Sequence, residues 1–229
     1  MTLQDSIRSP RLSSRTKVQA LFGVDVITAE ALPELVDEQL YADERAHVSN
    51  AVPKRRAEFG TARVCARRAL AQLGLPPVSL VPYEDRAPRW PDNTVGSISH
   101  TKNYCAVAVA LASSVRSLGL DVEEDRALDF GVVKAVCTPS ERRSLTLNQD
   151  PSHDAVLYFG AKEAFYKCQY PLTRTFLDFQ DVELDLDIAR GTFRVRVIKP
   201  LPARPEWFDR LTGRFIRRDG LVLCGLELH

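Results

Sequence analysis

The stretch RFIRRDGLVLCGLEL, residues 214–228, contains two apolar runs that are joined by an Asp-Gly pair. An Asp-Gly pair between apolar runs is a strong signal for a β-hairpin. Before it, DVELDLDI (181–188) alternates acidic with apolar residues, and FRVRV (193–197) alternates apolar residues with arginine. Alternation with a period of two predicts strands with one buried face. Residues 181–228 therefore predict an antiparallel sheet.

The rest of the chain shows helical and strand-like patterns in turn. Residues 26–40 and 41–75 predict helices, and residues 105–123 contain two strand-like runs around a polar turn, which predicts a hairpin. Residues 129–147 and 153–169 predict helices again. Helices therefore precede strands twice along the chain. Helices that are segregated from antiparallel hairpins are typical of an α+β fold rather than of a doubly wound sheet.

Composition narrows the function classes. The chain has 229 residues, a formal net charge of +1 and 45% hydrophobic residues, so it is long enough for one large domain or two small ones. The small net charge argues against nucleic acid or a membrane surface as a partner. No apolar run reaches the ~18 residues of a membrane span, and no glycine-rich phosphate loop is present. Residues 1–18 are basic and rich in serine, which predicts a disordered tail.

The five cysteines indicate a reducing compartment. They are odd in number, widely scattered, and form no Cys-x-x-Cys pair. This pattern argues against a disulfide framework and against a structural zinc site. We therefore expect a cytoplasmic protein.

Asp121 and Glu123 lie two residues apart in a strand-like run. Side chains at positions i and i+2 of a strand leave the same face, about 6.5 to 7 Å apart, so Leu120 and Val122 are expected to face the core. Two carboxylates on one face suit a hard divalent cation, which prefers oxygen ligands. The alternative is a solvated strand end that continues into an acidic loop.

Three charged residues stand inside the otherwise apolar and aromatic run FGAKEAFYKCQYP, residues 159–171. On a helix, Glu163 and Lys167 share one face, and Lys162 lies on the neighbouring aromatic face. A Glu-Lys pair at this spacing usually contributes only roughly 0.2–0.5 kcal/mol to an exposed helix. Here the surrounding residues predict a helix that is buried on all sides, where unpaired ions are costly. A metal ion or a phosphate near these three side chains is therefore expected.

Basic residues cluster on one predicted helix. Arg56, Arg63 and Arg67 fall on a single stripe, and Arg55 lies beside it. Guanidinium groups bind phosphates in two-point geometry, although a solvated basic face would give the same pattern.

Further basic side chains, Arg86, Arg89 and His100, lie in loops on either side of Trp90. His100 alone is equally compatible with a structural histidine. Taken together, carboxylates that can hold one Mg²⁺ and cations that can hold a polyphosphate are the equipment of phosphoryl transfer or pyrophosphate cleavage.

Three ordered motifs carry a family resemblance: GSISH (96–100), GLDVE (119–123) and FGAKEAFYK (159–167). They resemble the signatures of the 4′-phosphopantetheinyl transferases of the surfactin/enterobactin type. Three further stretches resemble the actinobacterial members in particular: KRRAEFGTARVCARRAL, APRWP and KCQYPLT. The resemblance covers about residues 20–229, with all the motifs in order.

The resemblance implies an α+β fold of two similar halves related by pseudo-twofold symmetry, with the active site in the cleft between them. Residues 19–112 would form the half that binds the nucleotide of coenzyme A, and residues 113–229 the half with the metal and the catalytic helix. The implied reaction transfers the 4′-phosphopantetheine arm of coenzyme A to a serine of an apo acyl or peptidyl carrier protein. It releases 3′,5′-ADP and uses Mg²⁺ or Mn²⁺. Because one chain contains both halves, a monomer is expected.

The family's functional positions fall on particular residues of this sequence. The metal ligands would be Asp121, Glu123 and Glu163. The coenzyme A contacts would be Arg55, Arg63, Ser99, His100 and Lys167, with Arg86 and Arg89 competing for one contact in the loop before the Trp-Pro element. From its place in the apolar run, Lys162 is also expected near the coenzyme.

The expected catalytic groups are Glu163, Lys167 and Glu123. Glu163 is the expected general base for the incoming serine, directly or through a metal-bound water, and Glu123 is the alternative base. Lys167 would stabilise the leaving phosphate. The stretch KCQYPLTRTFLDF (167–179) is a candidate surface for the carrier protein, while a loop that covers the core is the alternative.

Two other functions would use part of the same equipment. A Mg²⁺-dependent hydrolase of nucleotide pyrophosphates would use the same ions but would need no carrier protein. A non-catalytic coenzyme A binding module would keep the arginines and the histidine but would not need all three carboxylates.

Overall fold

The N-terminal half is built on a three-stranded antiparallel sheet. The structure is a computed structural model that describes residues 16–85, 87–147 and 149–229. Strands β1 (Ile27–Ala31) and β2 (Thr94–Thr101) flank the central β3 (Tyr104–Leu111). The central strand carries almost only small apolar residues because both of its faces are buried.

Two helices accompany this first sheet, α1 (Ala42–His47) and α2 (Pro53–Gln72). Helix α2 packs its small and apolar residues, including Ala66 and Leu70, against Val107 and Val109 of β3. In the described part of the chain, neither α2 nor any other helix is long and apolar enough to cross a membrane.

The C-terminal half is built on a five-stranded antiparallel sheet in the order β4-β8-β7-β6-β5. The elements of this half, in chain order, are β4 (Ser117–Glu124), α3 (Phe130–Val136), α4 (Pro139–Leu145), α5 (Pro151–Thr173), β5 (Val182–Asp187), β6 (Thr192–Val197), β7 (Thr212–Arg218) and β8 (Leu221–Leu228). The long helix α5 packs on β4 and β8. Asp219 and Gly220 both have positive φ, of 54° and 73°, as a two-residue hairpin turn requires. The predicted α+β class and the C-terminal antiparallel sheet are therefore confirmed.

Two predictions about local structure are wrong. Residues 26–40 do not form a helix: Ile27–Ala31 is a strand paired with β3, because its burial against β3 and α2 outweighs the helical preference of its alanine and glutamate residues. The predicted hairpin over residues 105–123 is two strands in different sheets, since β3 pairs with β1 and β2 while β4 pairs with β8. The connection between β3 and β4 crosses from one half to the other, and it contains the predicted boundary at residues 112 and 113.

The predicted tail, residues 1–18, lies mostly outside the described residues. Within the described residues, Lys17–Leu21 forms a 3₁₀ helix that buries Val18 and Leu21. Residues 17 and 18 of the predicted tail are therefore part of this helix.

A buried glutamate organises the N-terminal half. Glu44, in α1, accepts a hydrogen bond from the backbone N–H of Tyr41 at 3.0 Å and another from that of Leu80 at 2.9 Å. The guanidinium of Arg67, from α2, lies 2.7 Å from the same carboxylate. The charge is therefore both paired and hydrogen-bonded, which is the condition for burying an ion.

A second buried glutamate repeats this arrangement in the C-terminal half. Glu141, in α4, accepts bonds from the backbone N–H groups of Thr138 at 2.7 Å and Leu184 at 2.8 Å. Its cation is Lys162, from α5, at 2.7 Å. Each half therefore ties a short helix, a long helix and a downstream segment together through one glutamate, in agreement with the expected two similar halves.

Candidate active site

A cleft of about 1220 Å³ opens between the two halves. Its walls come from α2, β2 and α5, together with the loop before β2. The predicted site residues that line it are Arg55, Arg63, His100, Glu163 and Lys167. Basic groups from the first half thus face a carboxylate and a lysine from the second half.

Two glycines allow α5 to cross β4 at short range. A Cβ atom added to Gly119 would lie 1.8 Å from the carbonyl oxygen of Ala164, so only glycine fits there. On the helix, a Cβ at Gly160 would lie 3.5 Å from Asp121 Oδ2. This close crossing brings the side chains of α5 directly over the carboxylate of β4.

Lys167 and Asp121 form the centre of the site. Lys167 Nζ donates to Asp121 Oδ1 at 2.6 Å and to Ser99 Oγ at 3.2 Å. The hydroxyl of Ser99 in turn donates to Asp121 Oδ1 at 2.9 Å. Asp121 is only 3% exposed, and its Oδ2 atom is buried without a hydrogen-bond partner among the described residues. The Oδ1 atom of Asp121 therefore accepts hydrogen bonds from Lys167 and Ser99, whereas its Oδ2 atom has no partner among the described residues.

Two carboxyl groups of the site, those of Glu123 and Glu163, have raised pKa values. Burial is the main cause that raises the pKa of Glu123 to about 7, and the negative charges of Asp121 and Glu163 add to it. Burial and the charge of Asp121 also raise the pKa of Glu163, while Lys167 lowers it. Three acidic groups therefore lie close enough to repel one another, which is costly unless a cation joins them.

The site fits a divalent cation in charge and in donor type. Carboxylate oxygens are the ligands that Mg²⁺ prefers. The Oδ2 atom of Asp121, which has no hydrogen-bond partner among the described residues, could serve as such a ligand. Nevertheless, within the described ranges no three side chains of His, Cys, Asp or Glu are arranged to hold a metal ion. Metal ligation by Asp121, Glu123 and Glu163 therefore stays a prediction.

The basic side of the cleft centres on His100. Arg55 Nη1 lies 3.0 Å from His100 Nε2, and Glu58 Oε2 lies 3.7 Å from His100 Nδ1. Burial lowers the pKa of His100 against the opposing charge of Glu58, and the charge of Arg55 lowers it further. Arg63 stacks over the ring of Phe59 at 3.9 Å, and burial lowers its pKa to about 10. Two guanidiniums and an imidazole thus converge on the same wall.

The structure contradicts the prediction that Lys162 contacts the coenzyme. Its ammonium has three donors, and these go to Glu141 Oε2 at 2.7 Å and to the carbonyl oxygens of Val136 and Phe179, both at 2.8 Å. Burial lowers the pKa of Lys162, and Glu141 opposes this effect. Lys167 also has three acceptors, but its side chain is 28% exposed, whereas that of Lys162 is 2% exposed and closed off from the cleft.

Three of the other predicted basic residues, Arg56, Arg67 and Arg89, are not among the residues that line the cleft. Arg67 pairs with Glu44, as described above, and Arg56 pairs with Asp37, so two of the three arginines of the predicted stripe are used within the fold and only Arg63 faces the cleft. Arg89 is exposed and lies over the ring of Tyr83 at 4.5 Å. Arg86 lies outside the described residues.

Sequence reasoning missed several groups of the cleft. Glu58 is the acidic neighbour of both Arg55 and His100, and its position three residues after Arg55 was the available signal. Ser97 lines the cleft two residues before Ser99, on the same face of β2. Tyr166 was seen in sequence only as part of an aromatic face; it lines the cleft next to Glu163.

A cleft that sets clustered carboxylates against arginine, lysine and histidine is that of an enzyme acting on phosphate groups. Residues 43–110 match the family model of the 4′-phosphopantetheinyl transferase N-terminal domain, and residues 117–216 match that of the 4′-phosphopantetheinyl transferase superfamily. The chain belongs to the 4′-phosphopantetheinyl transferase superfamily, and it is a transferase of that class.

Individual relatives agree with the family. The chain is 41% identical over 218 residues to the 4′-phosphopantetheinyl transferase Svp of Streptomyces mobaraensis, covering 92% of this chain and 89% of Svp. It is 34% identical over 220 residues to the 4′-phosphopantetheinyl transferase PptT of Mycobacterium tuberculosis, covering 89% and 96%. Similarity to enterobactin synthase component D of Salmonella typhimurium is 34% over 119 residues, covering 50% and 48%. The predicted resemblance is therefore confirmed.

Proposed function

We propose that the protein transfers the 4′-phosphopantetheine arm of coenzyme A to a serine of an apo acyl or peptidyl carrier protein, with release of 3′,5′-ADP. The observation that carries the proposal is the opposition, across one cleft, of the Lys167–Asp121 pair to Arg55 and His100. Coenzyme A carries a 3′-phosphate on its ribose and a pyrophosphate between the nucleoside and the pantetheine arm. It therefore needs cations at two places.

The nucleotide end is assigned to the basic wall. Arg55 and Arg63 offer guanidinium donors to phosphate oxygens, and His100 lies between them and the carboxylates. Burial and the neighbouring cations lower the pKa of His100. A phosphate beside it would raise that pKa and draw a proton to the ring.

The reacting end is assigned to the acidic side. The carrier serine oxygen attacks the phosphorus that bears the pantetheine arm, and the bond from that phosphorus to the ADP oxygen breaks. Lys167 neutralises the negative charge that develops on the departing phosphate. Glu163 takes the proton of the serine, and Glu123 is the alternative base; the charge of Asp121 acts on both carboxyl groups.

A divalent metal ion belongs to the same proposal. Asp121, Glu123 and Glu163 would hold it, and Mg²⁺ or Mn²⁺ would supply neutralising charge to the pyrophosphate. Its arrival would relieve the repulsion among the three carboxylates and would leave Lys167 available to the substrate.

The carrier protein would approach beside the end of α5. Phe176 is 67% exposed, and its ring packs on Tyr166 at a centroid distance of 6.1 Å. The side chain of Arg174 is 59% exposed, and its guanidinium pairs with Asp85 at 2.8 Å, a pair that an acidic partner would have to compete with. An exposed aromatic ring next to a cation suits an acidic helical partner, which favours the carrier surface over a loop that only covers the core. A cytoplasmic location, inferred from the cysteines, completes the proposal.

One assay tests the transfer and separates it from its two alternatives. The protein is incubated with coenzyme A, Mg²⁺ and an apo carrier protein, and the mass of the carrier is measured. A gain of one phosphopantetheine arm is expected. Free phosphopantetheine with an unchanged carrier would indicate a hydrolase, and unchanged coenzyme A would indicate a binding module. Addition of EDTA should abolish the gain, and Mg²⁺ or Mn²⁺ added in excess should restore it.

A further inference from the structure

Two serine hydroxyls join the halves of the molecule beside the active site. Strands β2 and β4 are edge strands of different sheets and lie side by side. The backbone N–H of Leu120 donates to Ser97 Oγ at 3.0 Å, and that of Val122 donates to Ser99 Oγ at 3.2 Å. Because both the serines and their partners are two residues apart in the same direction, the strands run in parallel here.

The two hydroxyls take the place that carbonyl oxygens have in an ordinary sheet. Ser97 Oγ also donates to the carbonyl oxygen of Leu120 at 3.4 Å, so one hydroxyl contacts both backbone groups of that residue. Ser97 is 4% exposed, so no bulk water is available to replace its hydroxyl. The backbone of β4 is therefore held from the opposite half by a side chain.

The peptide groups that the serines hold lie on either side of Asp121. Ser99 also donates to the Asp121 carboxylate, so it acts on the site directly. Within the part of the chain that the structure describes, the side-chain hydrogen bonds of Ser97 go to the backbone of Leu120 and to none of the charged groups of the site. Its influence on Asp121 therefore passes through the backbone of β4.

We propose that Ser97 is a positioning residue: its hydroxyl fixes β4 against β2, and so keeps the Asp121 carboxylate beneath Lys167 and opposite the basic wall. In this role Ser97 couples the half that holds the nucleotide to the half that performs the chemistry. The kinetic part of the proposal rests on the proposed transfer reaction. The structural part, the bond between Leu120 and Ser97, does not.

The test compares Ser97→Ala, Ser97→Thr and the control Ser144→Ala in the full chain. Ser144 is exposed and its hydroxyl contacts only its own helix, at Ser140. Transfer to an apo carrier is measured with coenzyme A as the varied substrate. Ser97→Ala should lower kcat about tenfold or more, because small displacements of catalytic groups are costly, while KM for coenzyme A stays within about twofold. Ser97→Thr should restore kcat, and Ser144→Ala should leave it unchanged.

Amide hydrogen exchange of the protein without coenzyme A gives a second readout, which does not depend on the reaction. The Leu120 amide should exchange about tenfold faster in Ser97→Ala than in the wild type, and the Val122 amide, which donates to Ser99 instead, should keep its rate, because a local bond has been lost rather than global stability. Any of three results would overturn the proposal. These are equal acceleration of exchange at both amides, an unchanged exchange rate of the Leu120 amide, and a loss in kcat that is matched by a rise in KM. If the wild type transfers nothing, the proposed function fails, and the exchange rates still decide whether Ser97 holds Leu120.

Discussion

Lys167 Nζ lies 2.6 Å from Asp121 Oδ1, and this contact joins the long helix of the C-terminal half to the strand that borders the N-terminal half. Five residues earlier on the same helix, Lys162 makes a contact of similar length with Glu141. The first pair borders the cleft, with the side chain of Lys167 28% exposed, and the second is closed off from solvent. Two similar ion pairs on one helix thus have different environments and different roles.

Substitution of the two lysines by methionine should separate these roles. Lys162→Met leaves the buried Glu141 carboxylate uncompensated, and we expect the free energy of unfolding to fall by about 3–5 kcal/mol. Lys167→Met should cost less stability, because Ser99 still donates to Asp121, but should lower kcat of carrier modification about 100-fold or more. Urea unfolding and the carrier mass assay measure the two effects.

A double variant supplies the control for the buried pair. Lys162→Met combined with Glu141→Gln removes both charges, so it should recover part of the lost stability. If Lys162→Met were instead inactive but of normal stability, the result would support the original prediction that Lys162 contacts the coenzyme.

Glu163→Gln tests the general base with little change in shape. The amide cannot accept the serine proton, so kcat should fall about 100-fold or more, while the melting temperature stays close to that of the wild type because Glu163 is only partly buried. Both side chains are also expected metal ligands, so Glu123→Gln is made in parallel and both variants are assayed at saturating Mg²⁺ to distinguish the two candidate bases. Near-normal turnover in Glu163→Gln would remove Glu163 from that role.

The different fates of the two lysines show where sequence reasoning ends. The motifs with Ser99, Asp121 and Glu163 were enough to predict the family, and the alternation in residues 181–228 was enough to predict the C-terminal sheet. Periodicity did not show which side of α5 Lys162 would face, because a helix buried on all sides gives no polar face for orientation. The partner of Lys162, Glu141, lies 21 residues away.

Strand pairing was the other limit. Residues 105–123 contain two strands, as predicted, yet each strand pairs with partners that are distant in sequence: β4 binds β8 about 100 residues later. A polar turn between two apolar runs favours a hairpin locally, but the packing of β4 against α5 and β8 outweighs that preference. In the same way, packing against β3 and α2 makes residues 27–31 an edge strand within the segment 26–40 that was predicted to be a helix.

Gly119→Ala should separate α5 from β4. The added methyl group would meet the carbonyl oxygen of Ala164 at 1.8 Å, and backbone cannot move aside as a flexible side chain can. We expect a loss of roughly 1–3 kcal/mol in the free energy of unfolding. Transfer activity should fall at temperatures where the variant is still folded, because Lys167 moves away from Asp121.

Gly131→Ala is the matched control for that substitution. An added Cβ at Gly131 has no atom of the described residues within 4 Å, and Gly131 lies in helix α3. Alanine is a better helix former than glycine, so stability should stay equal or rise by up to about 1 kcal/mol. Equal losses in the two variants would mean that Gly119 is not a close contact.

His100 should titrate below the ordinary histidine value of 6.5, because burial, Arg55, Lys167 and Arg63 together outweigh the opposing charge of Glu58. A lowered pKa in the folded state means that the unfolded chain binds the proton more readily. Stability should therefore rise with pH between the folded value and 6.5, and the contribution of His100 should be lost as pH falls through that window. His100→Asn should reduce this slope, as measured by urea unfolding at a series of pH values.

Adenosine 3′,5′-bisphosphate, the expected product, should reverse the shift at His100. A phosphate dianion beside the ring favours the protonated form, so the pKa of His100 measured by NMR should rise when this nucleotide is bound. The rise should be smaller in Arg55→Ala, because weaker nucleotide binding leaves the ring without its phosphate partner. If the ring titrates at the same pH with and without saturating nucleotide, the phosphate does not lie beside His100, and the nucleotide end of the substrate must be assigned to another wall of the cleft.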